Sequence, residues 1–233
     1  MASTPTATTW RETLEALLVA ALFLGFINTF VVKTFYIPSG SMEDTLLVGD
    51  HLFVNRFVFG PEGALARWLP ARAPRRGDIV VFRSPEQPSM ELVKRLIGLP
   101  GDRVEMREQR LFVNGKPVDD HAYVVHKDDL VGTLANAWNA GLFQRDNFRP
   151  LTVPPGHYFF LGDNRDFSKD SRYWGTAPAT YLRGRASMIY WSFGGETDDG
   201  EWHGWGPELR RLGKTTLGFV TQTRWARTFH LPR

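Results

Sequence analysis

Two serines flank a glycine directly after the longest apolar run of the chain, within the segment Ile37–Asp50. Pro38 fixes its own φ and disfavours helix at the preceding residue, so the apolar run should end near this point. Gly40 permits a sharp turn that presents Ser39 and Ser41 together. A serine hydroxyl becomes a useful nucleophile only beside a base. Taken alone, the segment is more simply interpreted as a polar turn after a helix.

A lysine inside an apolar strand pattern is the candidate base. Residues 92–97 alternate, which places Lys94 on one face and Arg95 on the other. One of the two charges should therefore point toward the buried side of the sheet, with Arg95 the solvated or structural charge. Desolvation lowers the pKa of a lysine, and the neutral amine can then accept a proton near neutral pH. The alternative is an ion pair between Lys94 and an acid such as Glu91.

Two other kinds of chemistry are alternatives to a serine with a lysine base. Histidine is the usual partner of a nucleophilic serine, but no histidine lies in a recognisable signature and there is no Gly-x-Ser-x-Gly elbow. The charged segment 162–172 has Asp163, Arg165 and Phe167 at the spacing of a calcium loop, without the glycine or the acids that such a loop needs. We therefore expect no metal and no other cofactor. The six histidines are His51, His121, His126, His157, His203 and His230.

Together the serine, lysine and charged segments resemble the type I signal (leader) peptidases, which are membrane-bound Ser/Lys endopeptidases. The resemblance spans residues 35–193, and it implies that Ser41 is the nucleophile and Lys94 the general base for acylation and deacylation. It also implies an oxyanion hole made by the Ser41 backbone N–H and the Ser39 hydroxyl, although Ser39 could serve only to shape the turn. The matching boxes are Ile37–Asp50, Gly77–Phe82, Val93–Val104 and Gly162–Trp174.

The same resemblance assigns supporting and substrate-facing residues. Ser168 matches the serine that orients the lysine, and Asp170 and Arg172 match an ion pair that holds the wall of the site. One departure concerns Glu43-Asp44, where relatives often carry an uncharged residue and a proline, and it makes the local turn less certain. The family cleaves after small residues at −1 and −3, and its substrate-facing positions match or neighbour Ile37, Met42, Leu46 and Val93.

Residues 16–32 form an uncharged run that, with its apolar flanks, approaches the ~20 residues of a spanning helix. A cleavable signal peptide is the alternative, but acidic residues stand at the start of the run and no small-x-small site follows it. We therefore predict an uncleaved anchor over residues 16–36. The distribution of basic residues on the two sides of the anchor does not determine which end faces the cytoplasm. Only the resemblance implies a single-pass protein of the bacterial inner membrane with its body on the periplasmic side.

The remainder of the chain favours strands. Short β-branched and apolar runs alternate with turn signals, of which Asn114-Gly115 is the strongest. The predicted fold class is mainly β, with an N-terminal transmembrane helix and an antiparallel β-sheet catalytic domain; the resemblance adds an inserted smaller β subdomain. The predicted divisions are an N-terminal segment 1–15, the anchor 16–36, the catalytic domain 37–104 and 151–213, the insert 105–150, and a basic tail 214–233.

Composition narrows the possible functions. The chain has no cysteine, which excludes disulfides, thiolate catalysis and sulfur-ligated zinc. Its net charge is +3, but six of its basic residues come after Glu208. The rest of the chain has 22 basic and 25 acidic residues. The body therefore lacks the positive charge that is typical of nucleic-acid-binding proteins. Expected partners are preproteins with signal peptides, the lipid bilayer and the protein-export machinery. A repressor-like Ser/Lys protease would need a DNA-binding domain, and a non-enzymatic membrane-tethered β module would need no lysine in an apolar strand.

Overall fold

Antiparallel strands form most of the folded body, which confirms the mainly β prediction. The computed structural model describes residues 7–26, 32–56, 58–59, 72–128, 130–132, 140–194 and 218–232. The helices are α1 (Ala7–Phe26), α2 (Ala140–Asp146) and α3 (Ser171–Trp174). The strands are β1 (Val32–Tyr36), β2 (Asp50–Asn55), β3 (Ile79–Arg83), β4 (Glu91–Gly98), β5 (Arg103–Arg107), β6 (Arg110–Val113), β7 (Lys116–Pro117), β8 (Phe148–Thr152), β9 (His157–Leu161), β10 (Ala177–Pro178) and β11 (Leu182–Ser192).

The larger sheet has the strand order β1-β2-β11-β3-β4-β9-β10. Its long strand β11 pairs with both β2 and β3, with register shifts that bend it between the two partners. The sheet curves strongly, because Phe35 of β1 and Val93 of β4 line one cavity although three strands separate β1 from β4. β9 pairs with β4 only along Arg95–Gly98. Within the described strands, the Glu91–Lys94 half of this edge of β4 therefore has no partner strand.

The smaller sheet has the order β7-β6-β5-β8. Asn114 and Gly115 connect β6 to β7 with φ of 54° and 75°, which is the two-residue hairpin turn that the Asn-Gly pair predicted. Buried apolar residues of this sheet pack against Ile97 and Phe159 of the larger sheet. β8 of this sheet is separated from β9 of the larger sheet by a turn at Gly156.

The predicted anchor corresponds to more than one element. Residues 16–26 belong to α1, residues 27–31 lie outside the described part, and residues 32–36 form β1 and pair with β2. The anchor prediction was therefore wrong at its C-terminal end, where tertiary strand pairing overrides the apolar pattern. Within the described ranges, none of the helices combines the length and the apolar character that crossing a membrane requires.

Candidate active site

The segment Ile37–Asp50 is a loop whose two ends are tied together. The Ile37 N–H donates to the Asp50 carbonyl at 2.9 Å, and the Gly49 N–H donates to the Ile37 carbonyl at 3.0 Å. Gly49 has φ of +93°, and a Cβ there would lie 2.0 Å from the carbonyl oxygen of Phe193, so this closure requires glycine. The loop thus holds the turn that contains Ser41 in a fixed place against the sheet.

Ser41 lies in a 3-10 turn, Gly40–Met42, at the start of this loop. The Glu43 N–H closes the turn on the Gly40 carbonyl at 3.0 Å. The first N–H groups of such a turn, among them that of Ser41, have no partner inside the turn. Ser39 precedes the turn in extended conformation, and its exposed hydroxyl makes no capping bond.

Lys94 reaches this turn from β4. Its Nζ donates to Ser41 Oγ at 2.5 Å and to the Val93 carbonyl at 3.2 Å, and the residue is only 4% exposed. Burial lowers the pKa of Lys94 to about 8; the nearby carboxylates of Asp170 and Asp163 oppose this shift, and Arg172 adds to it. The neutral amine, in which Nζ accepts the Ser41 proton instead of donating one, is therefore within reach at mildly alkaline pH.

The alternative partners considered from the sequence lie elsewhere. Glu91 forms an ion pair with Lys33 at 2.7 Å and approaches Arg183 at 3.8 Å, so it does not neutralise Lys94. No described histidine lines the cavity beside Ser41, and His203 lies outside the described residues. Lysine is thus the base that the described geometry offers to this serine.

Both charges of β4 are buried, so of the two roles expected for Arg95, a solvated or a structural charge, the structure has the structural one. Arg95 is 2% exposed and makes a two-point ion pair with Asp163, at 2.7 and 2.6 Å. Its guanidinium also lies 3.9 Å from the centroid of the Tyr123 ring. The Thr45 hydroxyl donates to Asp163 at 2.6 Å, which links the Ser41 loop to β4. Sequence reasoning gave Asp163 no role, although an arginine in an apolar strand signals a buried acidic partner.

The predicted ion pair between Asp170 and Arg172 is present and fully buried, with contacts of 2.9 and 2.8 Å. Burial alone would raise the pKa of Asp170, but the Arg172 guanidinium and the Gly162 N–H, which donates at 3.0 Å, hold it below the ordinary value. Asp170 also caps α3 by accepting from the Arg172 N–H. The carboxyl of Asp170 therefore stays ionised, and its charge and that of Arg172 act on the pKa of Lys94 in opposite directions.

Ser168 is buried beside the same wall. A Cβ on Gly162 would lie 2.2 Å from Ser168 Oγ and 2.5 Å from the Ser41 carbonyl oxygen, so Gly162 lets the third segment approach the serine turn. The Ser168 hydroxyl is close enough to Asp170 to lower the pKa of that carboxyl, but its Oγ meets no described group in hydrogen-bond geometry. The bond to Lys94 that would orient the lysine is not formed here, and that role stays a prediction.

A cavity of about 310 Å³ opens beside Ser41 and Lys94. Three of the four predicted pocket residues line it, and Leu46 does not, because it is wholly buried in the core beneath. The cavity lies between the edge of β1 and the open edge of β4. Its lining is mostly apolar and comprises Phe35, Ile37, Pro38, Ser39, Ser41, Met42, Met90, Glu91, Leu92, Val93 and Lys94.

The Glu43-Asp44 pair, at which the sequence departs from the family pattern, fits the turn through its backbone conformation and through contacts with Asn164 and Lys127. Asp44 adopts φ of 73°, a conformation that aspartate tolerates and proline cannot reach. Asn164 supports the turn, with its N–H 3.3 Å from the Ser41 carbonyl and its side-chain amide 3.1 Å from the Gly40 carbonyl. The same amide lies 3.3 Å from Glu43, and Lys127 Nζ lies 3.5 Å from Asp44. Sequence reasoning gave Asn164 no role of its own, and only its place in the third box pointed to it.

The arrangement brings a serine hydroxyl into contact with a buried amine at the edge of a mostly apolar cavity. Such a set can carry out acyl transfer without a metal. Among the described residues, no three His, Asp or Glu side chains are grouped so that they could hold a metal ion.

Comparison with known proteins adds an independent line of observation. Residues 10–191 match the family model described as signal peptidase, peptidase S26. The chain is 37% identical over 195 residues to signal peptidase I of Pseudomonas aeruginosa, covering 72% of this chain and 67% of the relative. It is 35% identical over 205 residues to probable signal peptidase I-2 of Synechocystis sp., covering 84% and 82%. A crystal structure of signal peptidase I from Enterococcus faecalis V583 is 34% identical, with a TM-score of 0.38 over 50% of this chain and 98% of that one.

Proposed function

The chain belongs to the signal peptidase (peptidase S26) family of serine endopeptidases, and from this premise we propose that Ser41 and Lys94 are its catalytic dyad. Signal-peptide-bearing preproteins are its substrates. The observation that most supports the dyad is the 2.5 Å contact between Lys94 Nζ and Ser41 Oγ, made by a lysine that is almost wholly buried.

The proposed reaction has two halves. Neutral Lys94 accepts the Ser41 proton while Oγ attacks the scissile carbonyl, and the protonated lysine then donates to the leaving amine as the peptide bond breaks. The acyl-enzyme is hydrolysed by a water whose proton passes to Lys94 and then to Ser41 Oγ as the bond between Oγ and the acyl group breaks. In both halves the developing oxyanion accepts hydrogen bonds from the Ser41 N–H and the Ser39 hydroxyl, each worth a few kcal/mol.

We propose that the preprotein binds as an extended strand in the cavity between β1 and β4. The open edge of Glu91–Lys94 offers backbone groups for β-pairing, which would carry the scissile bond past Ser41. The apolar walls contributed by Ile37, Met42 and Val93 suit small side chains at −1 and −3 of the cleavage site. Leu46 shapes this floor only from beneath, through the core.

Supporting roles follow from the same geometry. The buried Asp170–Arg172 pair would keep the wall behind Lys94 in place, and Ser168 would orient the amine once a side-chain rotation brings the two together. Asp163 would hold β4 and the Ser41 loop in register through Arg95 and Thr45. None of these groups is proposed to touch the substrate.

We also propose that the apolar segment from residue 16 anchors the protein once in the bacterial inner membrane. Its uncharged residues begin within α1, and the catalytic body would follow on the periplasmic side, next to lipid headgroups and the export machinery. Extraction of the full-length protein from membranes by alkaline carbonate would refute this anchor.

Cleavage of a preprotein by the detergent-solubilised full chain tests the dyad. Ser41→Ala and Lys94→Arg should both be inactive, because arginine keeps the charge but does not release its proton. Ser187→Ala and Lys116→Arg, on β11 and β7, are matched controls that should cleave normally. Substantial activity in Lys94→Arg would overturn the assignment of lysine as base.

A further inference from the structure

The C-terminal segment 218–232, here named the C-terminal strap, is docked on the body. Its Thr223 bridges to Phe193 and its His230 to Ile189 of β11, where the Ile189 N–H donates to the His230 carbonyl at 2.8 Å. Sequence reasoning treated the end of the chain as a basic tail, whereas Thr223 is buried. The strap also lies beyond residue 191, where the match to the family model ends.

Two arginines of the strap form hydrogen bonds and an ion pair with the loop that carries Ser41. Arg227 Nη2 lies 2.6 Å from Asp50 Oδ2 and 3.0 Å from the Thr45 carbonyl oxygen. Arg224 donates to the Val48 carbonyl from both Nη atoms, at 3.1 and 3.2 Å. Asp50 is fully buried and closes the loop at its C-terminal end, so the strap holds the loop at this closed end.

Thr45 connects Arg227 to Asp163, which is paired with a residue of β4. Its carbonyl accepts from Arg227, while its hydroxyl donates to Asp163 at 2.6 Å. Asp163 is paired with Arg95, the neighbour of Lys94 on β4, and its charge acts on Lys94 directly. The strap, the Ser41 loop and β4 are therefore joined by a continuous set of short polar contacts.

We propose that the C-terminal strap, through Arg227, is a positioning device that holds Ser41 in register with Lys94. Arg227 is absent from the lining of the cavity, so it acts on turnover without touching substrate. This inference rests on the proposed dyad. A displacement of about 1 Å between reacting groups lowers the rate on the order of a hundredfold. Loss of the Arg227 grip is therefore expected to lower kcat by roughly ten- to a hundredfold.

Arg227→Lys is the primary test, because lysine keeps a positive charge beside buried Asp50 but cannot present a guanidinium to both Asp50 and Thr45. Arg149→Lys, exposed on β8, is the matched control. The full chain in detergent is assayed for kcat and KM with a preprotein, at a temperature well below the measured unfolding midpoint of each variant. The expected result is a lowered kcat with KM nearly unchanged for Arg227→Lys alone.

A second variant tests the link from the other side. Thr45→Val removes the hydroxyl that binds Asp163 but leaves the strap intact, and it should lower kcat similarly, with the double variant less than additive. If Arg227→Lys does not fold, Thr45→Val shows whether the contacts between the Ser41 loop and β4 affect kcat, and an unchanged kcat then overturns the proposal.

A lowered unfolding midpoint with unchanged kcat would make the strap merely structural, and a raised KM with unchanged kcat would place its effect on substrate binding. Either result overturns the proposal. Wild type and Ser41→Ala are assayed in parallel: a wild type that cleaves no preprotein refutes the proposed function, whereas normal cleavage by wild type and both test variants refutes only the strap.

Discussion

Replacing Lys94 with methionine should abolish cleavage and yet stabilise the fold at neutral pH. Methionine is unbranched like lysine and adapts to irregular packing, so it should fill the same space. The substitution removes the ammonium group of a residue that is 4% exposed, and no carboxylate of the described residues is in hydrogen-bond contact with that group. Burial of the charged Lys94 side chain is therefore expected to lower the free energy of unfolding at neutral pH.

The magnitude follows from the pKa of Lys94. Its fall from 10.5 to about 8 on folding corresponds to about 3 kcal/mol. Because the folded state releases the proton more readily, the unfolded state binds more protons between these two values, and wild-type stability rises with pH across that window. Below pH 8 the full penalty is present. Methionine also loses the hydrogen bonds to Ser41 and Val93, worth about 1 kcal/mol each, so the net gain at pH 7 is about 1–2 kcal/mol.

Urea unfolding of the detergent-solubilised full chain at pH 7 and pH 11 measures this difference. Lys94→Met should be more stable than wild type at pH 7 and no more stable at pH 11, where lysine is neutral in both states. Other groups titrate in this range, but they cancel in the comparison between variant and wild type. Lys116→Met, exposed on β7, is the control and should show no such pH dependence.

Two results would refute this reasoning. If Lys94→Met is less stable than wild type at pH 7, burial of the ammonium is not costly. If its advantage is the same at pH 7 and pH 11, the gain comes from packing and not from removal of a charge. In either case the low pKa of Lys94, on which its role as base depends, would need another explanation.

Four further predictions concern the same site. Wild-type kcat/KM should fall as pH drops through about 8 and recover above it, since only neutral Lys94 accepts a proton; pH profiles of the single histidine variants should keep this limb. Ser39→Ala should lower kcat by roughly a hundred- to a thousandfold with little change in KM, and Ser39→Thr less, in steady-state assays. Gly162→Ala should cost about 1–3 kcal/mol in urea unfolding, because its Cβ would collide with Ser168 and the Ser41 backbone. Asp44→Pro, which introduces the residue that relatives often carry, should destabilise by more than about 1 kcal/mol at φ of 73°, whereas Asp44→Gly should not.

Local features of the fold were accessible from the sequence, because they depend on neighbouring residues. The Asn114-Gly115 hairpin turn and the lysine strand are set by short-range backbone preferences and by alternation, and the structure has both. The nearness of Ser41 to Lys94, 53 positions apart, came from a family resemblance and not from any pattern. The division into a catalytic domain and an inserted subdomain stays a prediction.

The sequence by itself determined which residues could do the chemistry, because residue type and local spacing identify a serine turn and a lysine in an apolar strand. Only the tertiary structure decided the partners of the remaining charges. It paired Arg95 with Asp163, Lys33 with Glu91, and Arg227 with Asp50. These pairs join residues 58 to 177 positions apart. Periodicity specifies the face on which a side chain lies; the choice among many possible opposite charges depends on which strands and loops the chain brings together.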